Sequence, residues 1–200
     1  MTNYTLAIIA GGKSSRMGTN KAVITFDGQT LIERIIEHTQ DLGQQTTMLI
    51  TNTPDEYTHL NLPMFADVIP DSGSLGGIYS ALYHSKTTHT IVIACDMPFV
   101  SADVLRLMQT HADKADVVVP TVEGYPQGLH AIYSKNCLEP IRAKIESKRL
   151  KVIGFYEQVR VTYLDETALE TVNSDGLAFM NVNTPEELEI ARAKIENTTP

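Results

Sequence analysis

The chain has no tryptophan, only two cysteines, and no apolar stretch near the roughly 18 residues that a membrane-spanning helix needs. Cys95 and Cys137 are too few and too far apart for a disulfide framework or a paired zinc site, so a reducing cytoplasm is the expected setting. The first apolar run, residues 6–10, follows no basic segment and ends in Gly11-Gly12, which is unlike a secretory leader. Positive charge is the scarcer sign. With 16 Lys and Arg against 24 Asp and Glu, the net charge of −8 argues against a protein that coats nucleic acid or anionic lipid. Twelve glycines and nine prolines are too few for a linker or a collagen-like chain.

What remains is a 200-residue chain, 42% hydrophobic, able to bury a core without staples. Short apolar runs alternate with stretches of helical spacing, the pattern of an α/β fold with a mostly parallel sheet. Residues 4–10 read as the first strand. Leu31, Ile32, Ile35, Ile36 and Leu42 share one helical face, and 46–51 returns to a strand. A helix is expected over 75–83, a buried strand over 90–95, and a helix capped by Ser101 that carries Val104, Leu105, Leu107 and Met108. Strands are further expected at 117–120, 129–134 and 178–182, with a helix near 140–145. Thr184-Pro185-Glu186-Glu187 combines an N-cap, a first-turn proline and a capping-box glutamate, and predicts a last helix running to about Glu196.

The segment Ala10-Gly11-Gly12-Lys13-Ser14-Ser15-Arg16-Met17-Gly18, with Lys21 beyond it, directly follows the first strand. Glycines let backbone N–H groups approach an anion, and Arg16 and Lys21 add charge-assisted donors able to follow a triphosphate. Residues 1–26 hold three basic side chains and no acid, against the trend of the whole chain. Two familiar phosphate motifs fail on spacing. A P-loop would need glycine where Ala7 stands, and a dinucleotide fingerprint does not fit two adjacent glycines followed by a gap to Gly18.

The string from Ile9 to Gly18, with Lys21, resembles the signature loop of nucleotidyltransferases that join a nucleoside monophosphate to a phosphorylated acceptor. Asp71-Ser72-Gly73-Ser74-Leu75-Gly76-Gly77, Cys95-Asp96-Met97-Pro98 and Phe179-Met180-Asn181-Val182-Asn183-Thr184-Pro185-Glu186-Glu187 are similar to motifs of one branch, the molybdenum cofactor guanylyltransferases. The resemblance implies a three-layer Rossmann-like nucleotidyltransferase fold in one domain, with 1–120 holding the nucleotide and 121–200 the acceptor. It implies GMP transfer from GTP to molybdenum-molybdopterin, with transient contact to molybdoenzyme maturation proteins. Asn20 stands where the branch has Asp, and Ser74 and Gly76 replace its Pro and Ala. These departures keep a cytidylyl or sugar-phosphate nucleotidyltransferase, and a noncatalytic GTP-binding module, as alternatives.

Asp96 ends an apolar run, so a parallel strand would deliver it to the carboxyl edge, where a carboxylate beside phosphates suits Mg²⁺. The resemblance makes Asp96 the metal ligand and a nucleotide contact, and Arg16, Lys21 and Asp96 the catalytic set. It adds Ile9, Ala10, Gly11, Gly12, Asn52 and Asp67 as nucleotide contacts, with Asp71 the fallback for Asp67. Asn52 before Thr53-Pro54 is equally a turn residue. Asn181 and Asn183, alternating on the expected strand, would offer amides to the acceptor, although Asn183 also suits the start of the last helix. A basic stretch of Lys135, Arg142, Lys144, Lys148, Arg149 and Lys151 is either a solvated face or a surface that steers the anionic acceptor.

Overall fold

A computed structural model describes residues 3–11, 25–26, 28–173 and 175–196. Strand β1 (Tyr4–Ile9) is buried along its whole length. The ribbon β2 (Thr25–Phe26) and β3 (Gln29–Thr30) leads into α1 (Leu31–Thr39), followed by β4 (Thr46–Ile50), a 3-10 turn at Pro54–Leu60 and β5 (Met64–Phe65). Then come α2 (Gly73–His84), β6 (His89–Ala94), α3 (Ala102–Gln109), β7 (Val117–Val122), β8 (Tyr125–Pro126), β9 (His130–Ser134) and α4 (Leu138–Glu146). A second 3-10 turn, Val152–Gln158, precedes β10 (Val161–Leu164), α5 (Glu166–Leu169) and α6 (Pro185–Glu196).

The main sheet runs β10-β7-β9-β6-β1-β4-β5, with β8 paired to β7. Neighbours are parallel except at β9, which lies antiparallel to both β6 and β7, and in the β7–β8 ribbon. Alternation along β1 sorts the core into two layers. Leu6 and Ile8 pack with Ile32 and Ile35 of α1 and Val104, Leu105 and Met108 of α3. Ala7 and Ile9 pack with Leu75, Ile78 and Leu82 of α2 and Ile141 and Ile145 of α4. Each such fully buried Leu or Ile contributes about 2 kcal/mol of transfer free energy. The result is the expected three-layer α/β fold.

The helix starts follow local chemistry. Thr30 and Glu33 form a reciprocal capping box on α1, and Ser101 Oγ accepts the Val104 N–H at 3.4 Å on α3. On α6 the Glu187 N–H donates to Thr184 Oγ1 at 3.1 Å while the Thr184 N–H donates to Glu187 at 3.0 Å, as the 184–187 pattern predicts. Leu42 belongs to the turn after α1 rather than to the helix, although it is buried with that layer.

One expected strand is absent. Residues 178–182 form a 3-10 turn at Leu177–Phe179 and an extended passage outside the sheet. Their apolar alternation arises from side-chain packing, since Phe179 joins the α1–α3 layer and Val182 packs with Leu31, Leu188 and Ala191. One backbone bond ties this passage to the β6 end, from Val182 N–H to Asp96 O at 2.8 Å. Among the described residues no helix is long and apolar enough to cross a membrane.

Candidate active site

The chain crosses from β1 to β4 with α1 on one face of the sheet, and from β5 back to β6 with α2 on the other. Strand order therefore reverses at β1, and the carboxyl ends of β1 and β6 form a switch point of the kind at which α/β sheets bind ligands. The carboxyl ends are tied across the sheet. Cys95 N–H donates to Ile9 O at 3.1 Å, Ala10 N–H to Ile50 O at 2.9 Å, and Thr51 N–H to Phe65 O at 2.9 Å. Gly11 is exposed at this edge, and among the described residues a Cβ placed on it would meet nothing within 4 Å. Gly12, Arg16 and Lys21 lie outside the described residues.

Asn52, two residues past β4, and Asp67, two past β5, hold each other. Asn52 Nδ2 donates to Asp67 Oδ2 at 2.9 Å, and the Asp67 N–H donates to Asn52 Oδ1 at 3.0 Å. Asp71 lies apart, exposed in the turn before α2 with φ of 56°. The start of α2 is packed close to β1, because a Cβ on Gly77 would sit 3.0 Å from Ile9 Cγ2, and it closes tightly on the preceding turn, where one on Gly76 would sit 2.6 Å from Ser72 Cβ.

Asp96 is half-buried, two residues past β6, and its carbonyl takes the Val182 N–H. Among the described residues no three metal-ligating side chains cluster. A single carboxylate at this edge does not suit zinc, which takes three or four protein ligands, but it fits an ion that completes its shell with water and substrate oxygens.

Asn181 and Asn183 reach the same edge, though not as alternate residues of a strand. Asn181 Nδ2 donates weakly to Phe179 O at 3.4 Å, and the Asn183 backbone N–H donates to Glu187 at the head of α6. The basic stretch is divided. Lys135 follows the far end of β9, with its N–H on Thr88 O, whereas Arg142 is paired with Glu146 at 2.9 Å. Lys151 leads into the turn whose Val152 would meet a Cβ on Gly128 at 2.5 Å, which places the end of the stretch on the carboxyl side.

His130 is a residue that spacing does not single out; the only signal is an imidazole within the apolar run 129–133. It is fully buried opposite Ile93, and neither ring nitrogen has a hydrogen-bond partner among the described residues. Its ring meets Phe179 edge-on, with centroids 4.9 Å apart, and burial pushes its pKa down to about 4. Neither cysteine forms a disulfide. Cys95 is half-buried just beyond β6, and Cys137 is buried, its thiol pushed up to about 12 by desolvation.

Layers, switch point and edge together define an α/β protein of the doubly wound kind. Residues 6–160 match the family model described as a MobA-like NTP transferase domain, and the chain belongs to that family. A probable molybdenum cofactor guanylyltransferase of Pelotomaculum thermopropionicum is 34% identical over 198 residues, covering 99% of this chain and 96% of its own. The crystal structure of molybdopterin-guanine dinucleotide biosynthesis protein A from Archaeoglobus fulgidus superposes with a TM-score of 0.83 at 25% identity, covering 96% of this chain and 99% of that one. A CMP:2-keto-3-deoxy-manno-octonic acid synthetase solved with CTP, 13% identical, shares the fold at a TM-score of 0.73, covering 99% of this chain and 100% of that one. Membership of this transferase family implies a divalent metal ion.

Proposed function

We propose that the chain is a molybdenum cofactor guanylyltransferase that moves GMP from GTP onto molybdenum-molybdopterin and releases pyrophosphate. The observation that carries this reading is the switch point, with Gly11 exposed beyond the end of β1 and Asp96 beyond the end of the adjacent β6. The whole-length likeness to relatives named for this activity supports guanine over cytosine, a choice that the fold, shared with a CTP-bound structure, does not make.

In this reading the chain is one nucleotidyltransferase domain, with 1–120 serving the nucleotide and 121–200 the acceptor. An acceptor phosphate oxygen attacks the α-phosphorus in line, the new P–O bond forms, and the bond to the β-phosphate bridge breaks. The protein positions the reactants and compensates charge. Backbone N–H groups of Gly11 and Gly12 and the cations of Arg16 and Lys21 bind the phosphates, with Ile9 and Ala10, whose own N–H groups serve the sheet, as neighbouring nucleotide contacts. Asn52 and Asp67 bind the nucleoside end, and Asn181 and Asn183 orient the acceptor. Asp96 would hold Mg²⁺, which when bound withdraws charge from phosphate oxygens. The reaction is placed in the cytoplasm.

The test is GMP transfer by Lys21→Ala and Asp96→Ala. Each is expected to lose about 10²–10³-fold in turnover with an unchanged circular dichroism spectrum. Wild-type turnover in both variants would contradict the reading.

A further inference from the structure

The passage that carries Asn181 and Asn183, residues 177–183, is not part of the sheet. It is anchored by the Leu177 N–H on Asp175 and the Ala178 N–H on Asn173 Oδ1, each at 3.1 Å, by the Val182 N–H on Asp96 O at 2.8 Å, by Val182 packed on Leu31, Leu188 and Ala191, and by Phe179 lying on His130. His130 and Ile132 point to the same side of β9, and Ile132, like Phe179, belongs to the α1–α3 layer. The apolar members of that layer include Ile93, which pairs with His130 across the sheet, and Ile91 and Val118.

An imidazole buried with both nitrogens unbonded is a stability cost that a leucine or phenylalanine would not carry. Most other buried polar side chains avoid it. Thr39, Ser80, Thr87 and Ser134 are each hydrogen-bonded, and Asp116 is held by Arg160, Asn136 and Ser134. Kept neutral by burial, His130 retains one N–H donor and one acceptor at physiological pH. The 177–183 strap, which meets the ring through Phe179, carries backbone N–H and C=O groups.

We infer that His130 is a positioning residue for the acceptor: it seats the 177–183 strap beside Asp96, and its imidazole gains a hydrogen bond to strap backbone when Asn181 and Asn183 engage the acceptor. This rests on the guanylyl-transfer reading only for the identity of the acceptor. His130 touches neither substrate; it acts by setting where the two asparagines stand.

The experiment compares wild type with His130→Phe and His130→Gln. His130→Phe keeps an aromatic contact with Phe179 and removes the nitrogens, whereas His130→Gln keeps a donor and an acceptor. Anaerobic titration with molybdopterin alone and steady-state kinetics are both read. His130→Phe should melt above wild type, bind molybdopterin about tenfold more weakly, the worth of one hydrogen bond, and raise the acceptor KM similarly with kcat and GTP KM unchanged. His130→Gln should recover much of that affinity. Molybdopterin binding by His130→Phe equal to wild type overturns the inference, whether or not wild type transfers GMP. Weakened binding by His130→Phe, alongside a wild type that transfers nothing, upholds the strap's role and overturns guanylyl transfer instead. A wild type that binds no molybdopterin overturns both.

Discussion

Asn52 and Asp67 hold each other through two hydrogen bonds, amide to carboxylate at 2.9 Å and backbone N–H to amide oxygen at 3.0 Å, across the ends of adjacent parallel strands. Removing the Asn52 side chain breaks both bonds, whereas removing the Asp67 carboxylate leaves its backbone N–H on Asn52 Oδ1. Asn52→Ala and Asp67→Ala are each expected to raise the GTP KM about tenfold, with the double variant scarcely worse than the weaker single one. A double-mutant cycle on GTP KM measures this coupling; additive losses would mean that the two residues act independently.

The turn before α2 is held by contact rather than by a cap, since Ser72 makes no side-chain capping bond. A Cβ at Gly76 would fall 2.6 Å from Ser72 Cβ and 3.4 Å from Ile69 O, so the turn has to shift. Gly76→Ala should cost about 1–3 kcal/mol in urea unfolding. Gly77→Ala, facing Ile9 Cγ2 at 3.0 Å, should cost less because a side-chain methyl gives way more easily than a turn.

Acid should weaken the fold in two stages. The pKa of His130 lies near 4 in the folded protein against an ordinary 6.5, so the unfolded chain binds the extra proton between those values and stability falls as pH drops through that window. The slope expected from this group is about 1.4 kcal/mol per pH unit. The carboxyl of Asp116 is held well below its ordinary 3.8, chiefly by the Arg160 guanidinium, so its contribution is present above that value and lost below it. Thermal melts at pH 7, 5 and 3.5 should show His130→Phe flat over the first interval and still acid-labile over the second. An unchanged profile in His130→Phe would show that another group controls the first stage.

Much of this architecture is legible in the residues. The alternation of β1, the one-sided Ile32 and Ile35 of α1, the Ser101 cap and the Thr184–Glu187 box each act locally, and each appears where local chemistry places it. β10 is different. Val161 to Leu164 is a half-exposed sheet edge, with Tyr163 52% exposed, and its strand conformation comes from pairing with β7, more than 40 residues away. Residues 178–182 imitate a strand because Phe179 and Val182 are buried by different partners, not because one sheet face covers them. At the site, Asp96 is legible from the apolar run that it ends. The Asn52–Asp67 clasp is not, because it depends on β4 and β5 lying side by side. His130 is hidden for a related reason: its significance lies in the partners it lacks and in its contact with Phe179, 49 positions on.

The most direct test of guanylyl transfer is pyrophosphate release measured with Mg²⁺, molybdenum-loaded molybdopterin and either GTP or CTP, with the product weighed by mass spectrometry. The account predicts one pyrophosphate per guanine dinucleotide formed from GTP and none from CTP. Pyrophosphate released from CTP but not GTP, or GTP bound tightly with no pyrophosphate released, would contradict it.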